Sequence, residues 1–140
     1  MTPQQLKKAL VAGGFEVFRT QGDDVVLADR VRENLIMDSG VRLRSGDAMQ
    51  VKIVLRAQRA DFPGEEEGEL FARVRSFATQ VIAGGLAEVA ANATRVTDPA
   101  DSERVLDTFY EVTFAKDVGD FDAALPELKF AMALDKTVRR

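Results

Sequence analysis

Met49-Gln50-Val51-Lys52-Ile53-Val54-Leu55-Arg56-Ala57 carries an apolar residue at every odd position, Met49, Val51, Ile53, Leu55 and Ala57, with mostly polar residues between them. Successive side chains of a strand point to opposite faces, so this period-two pattern requires one covered face. The stretch reads as a half-buried strand in an antiparallel sheet. Ser45-Gly46-Asp47 turns the chain into it and Pro63-Gly64 stops it.

Working toward the N-terminus, Val41-Arg42-Leu43-Arg44 is bracketed by Ser45-Gly46-Asp47 and by a second turn cluster, Asp38-Ser39-Gly40. Residues Asp29 to Met37 fit neither helix nor strand periodicity and read as irregular or mixed. Phe15, Val17 and Phe18 begin a strand that turns at Gln21-Gly22-Asp23-Asp24 into Val25-Val26-Leu27. Before it, Thr2, Pro3 and Gln5 form a helix start with a capping box, Leu6, Leu10 and Val11 face inward, and Gly13-Gly14 supply the exit.

Toward the C-terminus, Glu65, Glu66, Glu67 and Glu69 sit where carboxylates favour the positive end of a helix dipole, and one long helix is predicted from there to Gly84-Gly85. Its apolar stripe is Leu70, Val74, Phe77 and Val81, widened by Phe71, Ala78 and Ile82. Two strands follow, Leu86 to Val96 and Val105 to Ala115, joined by a polar loop from Thr97 to Ser102. In the second, Leu106, Tyr110, Val112 and Phe114 point one way and Asp107, Glu111 and Thr113 the other. A last helix is predicted from Asp122 to the C-terminus, with Pro126 in its first turn. It has one stripe of Phe121, Leu125, Leu128 and Met132 and a second of Phe130, Leu134 and Val138. The reading is a single α+β domain over residues 1–140, a mainly antiparallel sheet covered by helices in the order α-β-β-β-α-β-β-α.

Composition bounds the chemistry. At 140 residues the chain is one ordinary domain's worth of polymer, and 46% apolar against 30% charged residues is enough for a packed core. A net charge of −4 opposes attraction to nucleic acid or an anionic membrane. Histidine and cysteine are both absent, which removes the usual transition-metal ligands, the thiol nucleophile, disulfides and a conventional serine triad. No signal-peptide pattern and no apolar run of membrane-spanning length is present, so a cytoplasmic protein is expected.

The candidate motifs have ordinary structural explanations. The glutamates at 65 to 69 read as a solvated helix start. Asp117, Asp120 and Asp122 read as a turn and a cap, because Gly119 and Phe121 occupy places where a calcium loop needs oxygen ligands. Neither Gly-Gly pair carries a nucleotide-loop pattern. Arg42, Arg44, Lys52 and Arg56 could form a basic sheet face, but without exposed aromatics to stack on bases. No catalytic residue, cofactor site or metal site is assigned.

The TPQQLKKALVAGGFEV opening, the ELKFAMALDK ending and the order of elements resemble the YbjN-like regulatory proteins and the class I type III secretion chaperones that share their fold. The resemblance spans nearly the whole chain, with Asp29 to Gly46 longer than that pattern. It implies a cofactor-free, non-enzymatic homodimer that binds a polypeptide partner. The helix stripes offer the dimer or partner interface at Leu70, Phe71, Phe77, Phe130, Leu134 and Val138. A small enzyme with a carboxylate-based site, or a nucleic-acid-binding module, are the alternatives.

Overall fold

Thr2 opens helix α1 (Pro3–Ala12). Its hydroxyl accepts from the Gln5 amide at 3.2 Å while the Gln5 side chain accepts from the Thr2 amide at 2.9 Å, the reciprocal capping box expected of this spacing. The computed structural model describes residues 1–140. After α1 come β1 (Val17–Gln21), β2 (Asp24–Arg32), β3 (Leu35–Arg44) and β4 (Met49–Gln58), then a single 3-10 turn, Arg59–Asp61. Next are α2 (Glu67–Ser76), α3 (Thr79–Ala83), β5 (Ala87–Asp98), β6 (Asp101–Val118) and α4 (Phe121–Ala133). The strands form one antiparallel sheet of six in the order β1-β2-β3-β4-β6-β5, which is the α+β class expected. The chain gathers into two compact units, residues 1–53 with 115–134, and residues 54–114 with 135–140.

In the first unit, β3 and β4 pair with Val41 opposite Ile53 and Leu43 opposite Val51, all four buried. With Met49, Val25 and Leu27 they make the apolar side of this part of the sheet. Helix α1 lies on β1 and β2 through the fully buried Leu6 and Leu10, and α4 lies on β3. Fully burying a leucine or valine contributes on the order of 1.5 to 3 kcal/mol, which is why these few positions dominate the packing. Val11, expected to face inward, is exposed, because it falls off the Leu6–Leu10 line.

Residues Asp29 to Met37 are not irregular. They are the distal arms of β2 and β3, closed by a turn at Glu33-Asn34. Nor is Asp38-Ser39-Gly40 a turn between elements. It lies inside β3, where Val26 pairs with Arg42 but Ala28 pairs with Asp38, so β3 carries two surplus residues in a bulge. Gly40 adopts φ +79° there, and the buried Ser39 hydroxyl donates to the Leu27 carbonyl at 2.7 Å.

In the second unit, Leu55 and Ala57 of β4, Phe62 just after the 3-10 turn, Leu70 and Val74 of α2, Ala78, Val81, Leu86, and Tyr110, Val112 and Phe114 of β6 are buried as its core. The middle helix is two helices, since the chain breaks at Phe77-Ala78. The stripe survives the break because Ala78 and Val81 remain buried on the far side of it. The Glu66 side chain accepts from the α2 backbone while Glu69 accepts from the Glu66 amide, so these glutamates close a capping box. The expected loop from Thr97 to Ser102 is a tight turn at Pro99-Ala100, its flanking polar residues belonging to exposed strand ends.

Helix α4 begins under an Asp120 cap, whose carboxylate accepts from the Ala123 amide at 2.8 Å. Pro126 stands in its second turn, not its first. The helix ends at Ala133, and Leu134 is already extended at φ −70°, ψ 143°. The stripe extrapolated to Val138 is therefore not helical. Beyond it Thr137 makes a parallel bridge to Arg56 of β4, the Arg139 carbonyl accepts from Arg73 at 3.1 Å, and Arg140 donates to the Asp61 carbonyl at 3.1 Å.

Candidate functional site: an exposed strand edge

Gly85, at φ +92°, turns the chain out of α3, and Leu86 is the last buried residue before β5. From Ala87 to Arg95 every residue of β5 is exposed, on both faces of the strand. The same is true of Asp101 to Leu106 in β6, whereas from Thr108 onward Thr108, Tyr110, Val112 and Phe114 are buried. Leu106 thus departs from the inward set predicted for it: it has the parity of Tyr110 but no cover, and is 52% exposed. The distal parts of β5 and β6 form a two-stranded ribbon bearing Val89, 58% exposed, and Val105 beside Leu106.

Both ends of the ribbon are pinned. Arg75 of α2 grips Glu88 with two charge-assisted hydrogen bonds, Nε to Oε1 at 2.8 Å and Nη2 to Oε2 at 3.0 Å. That contact holds the Glu88 carboxyl below its ordinary pKa and raises the Arg75 guanidinium. At the turn, the Asp98 carboxylate accepts from the Ala100 amide at 2.9 Å and faces Arg104 at 3.6 Å.

β5 is the last strand of the sheet, so its outer row of backbone N–H and C=O groups has no ladder partner. Edge strands are ordinarily blunted by proline, lysine or an inward charge. β5 has none of these in its centre: Val89-Ala90-Ala91-Asn92-Ala93-Thr94 is uncharged, between Glu88 and Arg95. Exposure on both faces leaves no period-two signal, so the only sequence mark of this edge is that small, uncharged run.

The residues proposed from sequence for an interface lie elsewhere. Leu70 is fully buried in α2, and Phe71 packs edge-on against Tyr110 with ring centroids 5.3 Å apart. Phe77 is half-buried at the end of α2. Phe130 is exposed on α4, while Leu134 and Val138 are half-buried beyond its end. Leu70, Phe71, Phe77 and Val138 belong to the second unit and Phe130 and Leu134 to the first.

Of the basic candidates, three are engaged in ion pairs or an aromatic contact, and Arg44 is exposed at the end of β3. Arg42 meets Asp38 at 2.9 Å and Lys52 meets Asp24 at 3.2 Å, and Arg56 lies over the Phe109 ring at 4.5 Å. Glu65 is bound by Arg73 at 2.6 Å, Asp117 accepts from Gln50, and no three acidic side chains converge on a point where a metal ion would sit. An open hollow of about 490 Å³ beside α1, lined by Gln4, Lys7, Lys8, Val11 and Ala12, gathers no carboxylate. No helix is long and apolar enough to cross a membrane.

No family model, curated protein or solved structure matches this chain. The strand edge has to be read on its own chemistry.

Proposed function

We propose that the chain is a non-enzymatic polypeptide-binding or regulatory domain of the YbjN-like and secretion-chaperone kind, working as a homodimer. The observation that supports this reading is β5, a twelve-residue edge strand whose first nine residues are exposed on both faces. An exposed edge takes up a further strand through main-chain hydrogen bonds, with side-chain shape selecting the partner. The pairing of Arg42 and Lys52 with carboxylates, together with the net charge of −4, likewise favours a polypeptide over nucleic acid.

Capture from the native lysate on immobilised protein is the test. Wild-type protein is expected to retain a polypeptide whether or not chelator and nuclease are present, and Val89→Lys with Ala91→Lys to lose it. Capture that requires a divalent ion or nuclease-sensitive material, or that ignores the double substitution, counts against the reading.

A further inference from the structure

We propose that the strand added to β5 is the β5 of a second copy, antiparallel and centred on Ala91. The inference rests on the strand-addition reading above and names its occupant: the polypeptide taken up at β5 is a second copy of this chain, and that contact is the homodimer.

Pairing of identical strands about a two-fold axis perpendicular to the sheet is antiparallel and sets a residue opposite its own copy. With Ala91 at that axis, Val89 faces Ala93 of the second copy, Ala90 faces Asn92, Glu88 faces Thr94 and Ala87 faces Arg95. No like charges stand opposite one another anywhere along this ladder. Glu88, already held by Arg75, faces the neutral Thr94 of the second copy and Arg95 faces the neutral Ala87, so neither charge meets its like. A parallel pairing would instead set the two acidic ends side by side. The central residues are small, so two backbones can approach to ladder distance with no long side chain needing a new rotamer. Val89 is covered on one face by its neighbour across the axis.

The remainder of the ribbon argues against a generic acidic partner. Around the turn it carries Asp98, Asp101 and Glu103 against Arg104 alone. That charge repels an acidic strand laid along the full length, whereas the self-pair uses only residues 87 to 95 and leaves the turns outside. The symmetric register also makes the contact self-limiting. Once two edges have paired, neither copy has a second β5 to offer.

The absence of cysteine makes the register directly testable. A residue facing itself in an antiparallel pair has Cα atoms about 4.5 to 5.5 Å apart, within the roughly 4.4 to 6.8 Å that a disulfide spans. Under mild oxidation Ala91→Cys is expected to give a covalent dimer. Ala93→Cys alone should not, whereas Ala93→Cys mixed with Val89→Cys should. Wild-type protein should sediment as a dimer at micromolar concentration, and Ala91→Pro should sediment as a monomer with unchanged far-ultraviolet circular dichroism. A wild-type monomer, a dimer indifferent to Ala91→Pro, or equal cross-linking of the two single cysteine variants overturns the proposal. Amide exchange of β5 separates its failure from that of the underlying reading. A monomer whose β5 amides gain protection in native lysate sinks self-pairing and leaves strand addition standing. One whose β5 amides stay fast there sinks both.

Discussion

Arg42 of β3 stands directly opposite Lys52 of β4, two cations in one cross-strand pair, each neutralised by a different aspartate. Like charges in this position are destabilising on their own. Asp38 takes Arg42 and Asp24 takes Lys52, and Val26, fully buried, lies opposite Arg42 and between it and Arg19. Asp24→Ala should therefore cost about 1 to 3 kcal/mol, since it leaves Lys52 facing Arg42 uncompensated. Adding Lys52→Met should recover much of that loss. Urea denaturation of both single variants and the double variant checks the coupling, and simple additivity would refute it.

The β3 bulge should be sensitive at two adjacent positions for different reasons. Ser39 donates to the Leu27 carbonyl and accepts from the Val41 amide at 3.1 Å, so Ser39→Ala strands two buried backbone groups and should cost about 1 to 3 kcal/mol. Gly40→Ala forces a side chain into a left-handed conformation, at about 1 to 2 kcal/mol. Thermal melts of the two variants measure both. A Gly40→Ala protein as stable as wild type would mean that the bulge relaxes.

Along β6, two residues of equal parity should respond oppositely. Phe114 is buried and Leu106 is half exposed. Phe114→Ala should lose about 3 to 5 kcal/mol through cavity formation, whereas Leu106→Ala should stay within about 0.5 kcal/mol. Equal losses in denaturant titrations would show that the outer ribbon is packed in solution.

Acid should weaken a small set of surface clamps. Arg30 holds Glu16 through Nε at 2.9 Å and Nη2 at 2.6 Å, and Arg75 holds Glu88, so both carboxyls sit below the ordinary glutamate pKa. Asp135 is lowered by the Thr137 amide and by Arg139. A lowered folded-state pKa contributes stability above the unfolded value and loses it as pH falls through the folded one. Melting temperature should thus be flat near neutrality and decline as pH drops below the ordinary carboxylate range. Glu16→Gln should flatten part of that decline in the melting-temperature profile. Because these pairs are exposed, added salt should reduce the effect.

Where one face is covered, the sequence is legible: Met49 to Ala57 alternates because Val51, Ile53 and Leu55 are buried. The capping box of Thr2 and Gln5 is equally local and equally readable. Asp29 to Met37 lost its strand signal because most of it faces solvent on both sides, and β5 is nearly featureless for the same reason. The break between α2 and α3 was hidden because the buried residues continue through it in helical spacing. The helical spacing runs on past Leu134 to Val138 because nothing in the side chains marks the stop at Ala133.

The bulge at Ser39-Gly40 also separates a region whose register is fixed by burial from one whose length can vary. On its inner side a one-residue slip would carry Val41 and Leu43 to the wrong face. On its outer side, past the Arg30–Ile36 pair, the arm exposes Val31, Leu35 and its Glu33-Asn34 turn, and no residue there has an inward face to lose. Residues inserted in facing pairs lengthen the arm without passing a register change down to the packed end. The tip between Arg32 and Leu35 is therefore the natural place to graft a foreign loop or reporter peptide, at an entropic cost that grows only slowly with its length.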